Sequence, residues 1–324
     1  MDNVTHSLTG WMLARGFLGR GEKGATLMMI LAANAPDMDA ASGFRGALVY
    51  LDVHRGYTHS LACAPVLALA PLLVARLVAR ARIGWSTYLA CLAGVLSHLL
   101  LDWTNVYGIR LLLPFSPRWL RLDITDIIDP WILLILIAAL AAPALVGLVS
   151  SEIASRKVPA PVRGWAQFAL AAVLLYDGGR WALHQRALAV LGAHLYAGGL
   201  PIRVTATPGR ISPWRWRGIV EGDGFVYQVP VDLSGEFDPG AGRADYPTVS
   251  STAIDAVRRT EAFQAFASFN QLPFWRVSTA LSASKVELID LRFGTPQAPG
   301  FEAVATVDDK GQVHDSRFTF GAPR

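Results

Sequence analysis

Long apolar runs fill much of the first 193 residues, whereas the rest of the chain contains only short ones. A helix that crosses a membrane needs about 20 mostly apolar residues. We therefore predict four spans, the last of which is weakened by Asp177 and Arg180 near its end. The predicted spans are residues 61–80, 86–102, 131–149 and 165–184.

Two further apolar segments, residues 7–19 and 25–35, are shorter than a full span. They are expected to form a helical hairpin that packs in the bundle or enters the bilayer part way. Residues 19–24 (GRGEKG) are predicted to form the turn between them. The Pro-rich residues 156–164 are predicted to be a second connector.

Residues 194–324 instead show short strand-like runs bounded by turn residues. Residues 250–269 look helical, and Ser251 or Thr252 supplies a start signal. These patterns predict a small α+β domain led by an antiparallel sheet. The predicted strands are residues 202–207, 225–233, 274–281, 285–293, 302–308 and 312–320.

The patterns together predict an all-α polytopic membrane helical bundle in residues 1–193, followed by a small α+β extramembrane domain in residues 194–324. Composition agrees, since 52% of the chain is hydrophobic and only 17% is charged, whereas soluble domains are about a quarter charged. The net charge is +5 in the first part and −1 in the second. The basic excess thus accompanies the apolar part, and we expect no nucleic-acid partner.

Features of the N-terminus and of the cysteines add two expectations. Residues 1–16 lack a basic start and contain His6, so they are not predicted to be a signal peptide. Cys63 and Cys91 both lie in apolar runs and indicate no disulfide framework.

The orientation in the membrane follows from the basic residues near helix ends, which favour the cytoplasmic side. If six segments alternate from an outer N-terminus, three short loops carry the basic excess inside. The candidate site and the C-terminal domain then lie on the outer, periplasmic face of a multi-pass bacterial inner-membrane protein. The basic residues of the inner loops are Arg15, Arg20, Lys23, Arg76, Arg80, Arg82, Arg156, Lys157 and Arg163.

Histidine and aspartate residues recur near the ends of the predicted helices. His98 and Asp102 are four residues apart, so both side chains lie on one helix face, with only leucines between them. A carboxylate in such apolar surroundings is costly unless it is paired, hydrogen-bonded or bound to a metal. Metal binding and a simple His–Asp hydrogen bond between helices both fit this pair.

A second group of polar residues lies in 54-HRGYTHS-60, just before an apolar run. His54 and His59 are too far apart for one helix face and indicate a bent loop. Thr58 or Ser60 is a candidate helix cap, which leaves the two histidines unexplained. Arg55 suits phosphate or carboxylate binding, and an interfacial arginine that faces lipid headgroups fits equally well.

The remaining candidates have simpler alternatives when taken singly. Asp37 and Asp39 follow an apolar segment across a turn, where either could be an Asx turn or a cap. Asp129 precedes a proline and is also a good cap. Because carboxylates beside imidazoles suit zinc or manganese, we predict a site for one or two divalent ions, mainly Zn²⁺. The predicted metal ligands are His6, Asp37, Asp39, His54, His59, His98, Asp102 and Asp129.

The order of these motifs resembles a known family, the YdjM-like inner-membrane proteins, described as membrane-bound metal-dependent hydrolases. The similarity lies in an early histidine, PDMD, HRGYTHS, SHLLLDWTNVYG, LLPFSPRW and an aspartate before proline, over about residues 1–190. A more distant similarity in the order of histidines and aspartates is to zinc-dependent phospholipase C and P1-type nucleases. Those enzymes add further histidines downstream, and this chain has none between His98 and His184.

These features predict a hydrolase that acts on a phosphoester or a lipid headgroup at the membrane surface. Asp39 or Asp37 would orient the attacking water or take its proton, and Arg55 would hold the anionic substrate. The expected partners are membrane lipid and a small-molecule or lipid phosphoester. The alternatives are a non-catalytic membrane protein, in which the polar cluster is structural and the C-terminal domain binds a partner, and a transporter.

Overall fold

The computed structural model of the protein describes residues 1–18, 23–153, 162–280 and 283–320. The predicted turn at 19–24 and the predicted connector at 156–164 lie partly outside the described residues. Arg20, Arg156 and Lys157 lie outside them altogether. Two compact units make up the chain: unit 1 is Met1–Asp39 with Arg55–Ala182, and unit 2 is Ala40–His54 with Leu183–Arg324. The predicted domain boundary at residues 193–194 remains a prediction.

Among the described residues up to 192, the regular secondary structure is helical. Two 3-10 helices, Pro36–Arg45 and Tyr57–His59, lie between the α-helices. The α-helices are α1 (Asn3–Phe17), α2 (Ala25–Asn34), α3 (Ala47–Val53), α4 (Ala64–Leu67), α5 (Leu69–Ala79), α6 (Trp85–Thr104), α7 (Pro130–Ile153) and α8 (Val162–Gly192).

Unit 1 is held together by small and aliphatic side chains. Gly94 of α6 lies so close to α2 that an added Cβ would be 2.7 Å from Ala32 Cβ. This close approach brings the next turn of α6 against the end of α2. One core cluster of this unit contains Met28, Ala32, Leu72, Ala75, Val95 and Leu99, and a second contains Met12, Leu101, Ile132, Leu136 and Ala169.

Among the described residues, two helical segments are long and apolar enough to cross a membrane, Trp85–Thr104 and Pro130–Leu148. A third is added if Ala47–His59 and the following Ala64–Ala79 count as one bent span. The predicted span 61–80 is divided between α4 and α5. It is long enough to cross a membrane only as part of this bent pair. α8 covers the predicted span 165–184 but is not among the candidates by length and composition.

Unit 2 has two four-stranded antiparallel sheets, with strand orders β1-β2-β3-β4 and β10-β9-β6-β5. The predicted fold class, a helical region followed by an antiparallel-sheet domain, is therefore confirmed. β2 and β4 were not predicted. The strands are β1 (Arg203–Pro208), β2 (Arg215–Glu221), β3 (Val226–Asp232), β4 (Arg243–Asp245), β5 (Pro273–Ala280), β6 (Ala283–Asp290), β7 (Gly294–Thr295), β8 (Ala298–Pro299), β9 (Phe301–Asp308) and β10 (Val313–Phe320).

Helices cover both sheets of unit 2. The last turns of α8 pack on the first sheet through Ala187 and Leu191. The single helix predicted over 250–269 is two helices, α9 (Thr252–Val257) and α10 (Glu261–Phe269), and Ser251 caps the first by accepting a hydrogen bond from the Ala253 amide. α10 contacts β10 and also α3, so residues 40–54 belong to this unit.

Candidate metal centre

Three helical elements bring histidine and aspartate side chains of unit 1 to one buried point. His98 and Asp102 come from adjacent turns of α6, and Asp37 comes from the 3-10 helix after α2. His59 ends the short 3-10 helix of the HRGYTHS motif. His59, His98 and Asp102 are completely buried, whereas the Asp37 side chain keeps 9% of its exposure.

Four of their atoms, one from each side chain, converge. His59 Nε2 lies 3.1 Å from His98 Nε2, 3.4 Å from Asp37 Oδ1 and 3.3 Å from Asp102 Oδ2. His98 Nε2 lies 3.6 Å from Asp37 Oδ1 and 3.5 Å from Asp102 Oδ2. All four atoms lie within 4.8 Å of one another. The ring nitrogens therefore point at each other and at two carboxylates.

These separations suit a tetrahedral ion. Zinc binds imidazole nitrogen and carboxylate oxygen at about 2.0–2.2 Å, which places ligand atoms about 3.3–3.6 Å apart in a tetrahedron. The five separations given above run from 3.1 to 3.6 Å. This cluster of two imidazoles and two carboxylates could hold a metal ion.

Unsatisfied polar atoms support the same conclusion. Among the described residues, Asp102 Oδ2 and both ring nitrogens of His6 are buried and have no hydrogen-bond partner. The His6 ring stacks on His98 at a centroid separation of 3.7 Å, and its Nε2 lies 3.4 Å from Asp102 Oδ1. Burial lowers the pKa of His6 well below its ordinary value, so its imidazole is neutral and able to bind a metal. Buried polar atoms without hydrogen-bond partners are rare in native proteins, and a bound ion is one way to satisfy them.

The outer nitrogens of the two central histidines are held by the protein. His98 Nδ1 lies 2.7 Å from the carbonyl oxygen of Ala33, at the end of α2. His59 Nδ1 lies 3.3 Å from Asp39 Oδ2 and 3.1 Å from Thr58 Oγ1. Metal-binding histidines usually have such a partner on the second nitrogen, which fixes the ring and its tautomer. The structure thus places Asp39 behind His59.

Asp39 also shapes the HRGYTHS loop. Its Oδ2 accepts hydrogen bonds from the Arg55 backbone amide at 3.0 Å and from the Thr58 hydroxyl. Arg55 has φ of +60°, a left-handed conformation that is unfavourable for a residue other than glycine. The bond to Asp39 helps to hold this strained turn, which directs His59 inward.

The Arg55 side chain is 3% exposed and turns toward α6. Its Nη2 lies 3.1 Å from Asp102 Oδ1, which the Met1 amine also contacts. Its Nη1 donates to Asn105 Oδ1 at 3.1 Å, and the guanidinium lies 4.4 Å above the Tyr107 ring. In this arrangement Arg55 neutralises the outer oxygen of Asp102, and the role of substrate anchor remains a prediction.

Two further predicted ligands, Asp129 and His54, make the following contacts. Asp129 caps α7 by accepting hydrogen bonds from the amides of Trp131 and Ile132, and the Tyr176 hydroxyl donates to both of its oxygens. The His54 ring stacks on Tyr50 at 4.5 Å, within the α3 segment that packs in unit 2.

Sequence reasoning missed the supporting residue Asn105. Its Nδ2 donates to Asp102 Oδ1 at 3.2 Å, while its Oδ1 accepts from Arg55 and from the amide of Tyr107. The available signal was its position, since Asn105 follows Asp102 by three residues at the end of an apolar helix. An amide there can join the carboxylate to the arginine.

Two family models match separate parts of the chain. A family model described as YdjM inner membrane protein matches residues 1–187, which include all the predicted site residues. A second model, described as YfhP C-terminal alpha/beta plait domain, matches residues 252–320.

One curated relative is similar to part of the chain. It is named "Uncharacterized protein YfhP" and comes from Bacillus subtilis (strain 168), with 30% identity over 118 residues. The match covers 36% of this chain and 36% of that protein, so the chain spans about a third of the length of the curated relative it matches. No solved structure matches, and the distant similarity to phospholipase C and P1 nuclease is not supported by one.

Proposed function

Because the chain belongs to the YdjM inner membrane protein family, we propose that it is a membrane-bound metal-dependent hydrolase. His59, His98 and Asp102 bind the ion, and the substrate is a phosphoester or a lipid headgroup. The observation that carries this proposal is the convergence of four nitrogen and oxygen atoms at tetrahedral spacing in a buried site with unpartnered polar atoms.

The donor set suits zinc. Two imidazoles with carboxylates are common zinc ligands, and manganese is the alternative because its sites also use carboxylates. When bound, the ion acts as a Lewis acid and lowers the pKa of a coordinated water from 15.7 to about 7.

Burial separates the roles of the four side chains. His59, His98 and Asp102 are fully buried, and three protein ligands leave one position of a tetrahedral zinc site open, as catalytic sites require. Asp37 is the most exposed of the four, and its Oδ1 lies within 3.6 Å of both imidazole nitrogens. We assign Asp37 the task of accepting the proton of the attacking water.

The other polar residues position this set. Asp39 and Thr58 fix the ring of His59, while Arg55 and Asn105 hold the outer oxygen of Asp102. A fixed Asp102 keeps its inner oxygen, Oδ2, directed at the two histidines. Such supporting contacts set both ligand geometry and ligand basicity.

The substrate class and the location follow from the membrane setting. The apolar helices hold the site in the inner membrane, where a lipid headgroup or a small phosphoester could approach Asp37. We propose that the site faces the periplasm, as the distribution of basic residues predicts.

One observation favours a second candidate function. If Asp37 binds the ion together with the other three residues, the site is closed by four protein ligands, as in structural zinc sites. The ion would then lock the helices together, and the C-terminal domain would carry the function by binding a partner.

Metal content separates these two functions. The protein is purified in detergent, loaded with zinc, and assayed by mass spectrometry as wild type, Asp102→Asn and Asp37→Asn. We expect Asp102→Asn to lose the ion and Asp37→Asn to keep it. Loss from both variants to the same degree supports the closed site, and retention by Asp102→Asn contradicts the metal centre. His314→Ala, at a solvent-exposed histidine of unit 2, is the matched control.

Hydrolysis by the zinc-loaded protein is then measured with a chromogenic phosphodiester and with phospholipid vesicles. We expect Asp37→Asn to lower kcat by about 10²–10⁴-fold, the usual contribution of a general base. Full activity of a metal-loaded Asp37→Asn protein would remove the role given to this residue.

A further inference from the structure

The loop between β1 and β2 exposes apolar side chains beside basic ones. In 209-GRISPW-214, Ile211 is 77% exposed and Trp214 is 50% exposed. Arg210 is exposed as well, and the stretch contains no acidic residue. An exposed tryptophan and isoleucine with an adjacent arginine is the combination that favours a lipid–water interface.

Backbone hydrogen bonds at both ends of this loop hold its conformation. The Gly209 amide donates to the Arg215 carbonyl at 2.7 Å, and the Leu233 amide donates to the Trp214 carbonyl at 3.1 Å. Trp216, two residues later, points into the core and is 3% exposed. Trp216 is therefore part of the hydrophobic core of unit 2, whereas the Trp214 side chain is half exposed.

The loop also lies at a particular end of its sheet. His184, near the start of unit 2, lies 3.0 Å from the Ala206 carbonyl and 5.3 Å from the Trp216 ring. Further along, Leu191 packs against Gly218, and the tilted rings of Tyr196 and Tyr227 have centroids 5.2 Å apart. His184 thus contacts β1 and β2 within two residues of the point where each strand joins the β1–β2 loop.

We propose that the β1–β2 loop docks on the surface of the bilayer, with Ile211 and Trp214 at the level of the headgroups and Arg210 on a lipid phosphate. Arg215 already pairs with Asp232 at 2.8 Å, so Arg210 is the cation assigned to the lipid. The partner is an anionic lipid surface, because the loop is basic and carries no acidic residue. This inference does not depend on the proposed hydrolase activity.

Ile202 provides a matched comparison. It is 74% exposed, almost the same as Ile211, and it precedes β1 whereas Ile211 follows it. The six residues of β1 separate the two positions by roughly 20 Å, at about 3.3 Å per residue. A lipid surface that the loop contacts would reach Ile211 and not Ile202.

The test uses the full chain reconstituted in vesicles of phosphatidylcholine and phosphatidylglycerol. Ile211→Cys and Ile202→Cys are made in a Cys63→Ser background, in which the remaining native Cys91 is fully buried, and are labelled with an environment-sensitive fluorophore. Spin-labelled lipids then quench the emission. We expect at least about twofold stronger quenching at 211, since interfacial side chains enter the headgroup region by about 5–10 Å.

Equal quenching at both positions, or none at either, overturns the proposal. An Arg210→Gln variant tests the charge, and we expect it to weaken quenching at position 211 in the phosphatidylglycerol vesicles. Unchanged quenching in that variant overturns the assignment of Arg210 to the lipid phosphate.

Discussion

The candidate metal centre of unit 1 and the Asp290–Arg292 pair of unit 2 are both buried and contain ionisable side chains, yet their hydrogen bonding differs. Asp290 accepts from the Arg292 amide and from its guanidinium through both oxygens. The guanidinium also donates to the Phe269 carbonyl and contacts the rings of both Phe269 and Phe293. In the candidate metal centre, by contrast, Asp102 Oδ2 and both nitrogens of His6 lack hydrogen-bond partners among the described residues.

The difference teaches how buried charge can be interpreted. A buried ion pair whose hydrogen bonds are made by the protein needs no ligand and stabilises the local turn, as the Asp290–Arg292 pair does at the end of β6. A cluster that leaves a carboxylate oxygen and ring nitrogens without hydrogen-bond partners is costly to bury unless an ion or a water molecule satisfies them. The arrangement of partners, rather than the degree of burial, distinguishes the two regions.

The largest expected effect is on unit 2. Asp290→Ala leaves Arg292 as an unpaired buried cation, which should lower the free energy of unfolding by about 3–5 kcal/mol. Denaturant unfolding in detergent, monitored on the sheet signal, measures the loss, while the metal content should stay at the wild-type level. The exposed Asp308, which pairs with His314, gives the matched variant Asp308→Ala, for which we expect little change. A metal loss caused by Asp290→Ala would mean that the two regions are not independent.

A smaller effect is expected behind the metal centre. Asp39→Asn weakens the contact that orients His59, and removal of such supporting contacts usually costs about 10–100-fold in metal affinity. Competition with a chromogenic chelator measures this affinity. Asp126→Asn is the control, because Asp126 bonds to the neighbouring Ile127 amide. An unchanged zinc affinity in Asp39→Asn would show that His59 needs no support from this residue.

The smallest effect concerns Asp129, a predicted ligand that has its own satisfied partners. Asp129→Ala removes the cap of α7 and should lower the free energy of unfolding by about 1–2 kcal/mol. Zinc content should be unaffected. If zinc is lost while the thermal transition is retained, Asp129 belongs with the metal ligands and the contrast drawn above must include it.

Much of the fold could be predicted because hydrophobic patterning is local. The strands β5, β6, β9 and β10 all fall on predicted runs. β2 was missed because Gly218 interrupts its apolar pattern. That glycine is required by tertiary packing, since an added Cβ would lie 2.5 Å from Leu191 of α8. A glycine that weakens the strand signal can thus be there for a helix elsewhere in the chain.

The candidate site was only partly accessible from the sequence. The helical spacing of His98 and Asp102 indicates a shared face, and the structure places their side-chain atoms 3.5 Å apart. The contact between Asp39 and the second ring nitrogen of His59 cannot be derived from sequence spacing, because the two residues meet through a loop that turns at Arg55. The distinction between Asp37 at the centre and Asp39 behind it needs three-dimensional coordinates.

The placement of residues 40–54 in unit 2 has a consequence for biosynthesis. The chain leaves unit 1 after Asp39 and returns to it at Arg55, so α3 is made among the first helices. Its packing partners α10 and β10 are synthesised more than 200 residues later, which at roughly 5–20 residues per second takes on the order of ten to fifty seconds. During that interval the ribosome-bound chain carries α3 without the elements it packs against. A nascent chain that ends before residue 261 lacks α10 and β10 and cannot complete this unit.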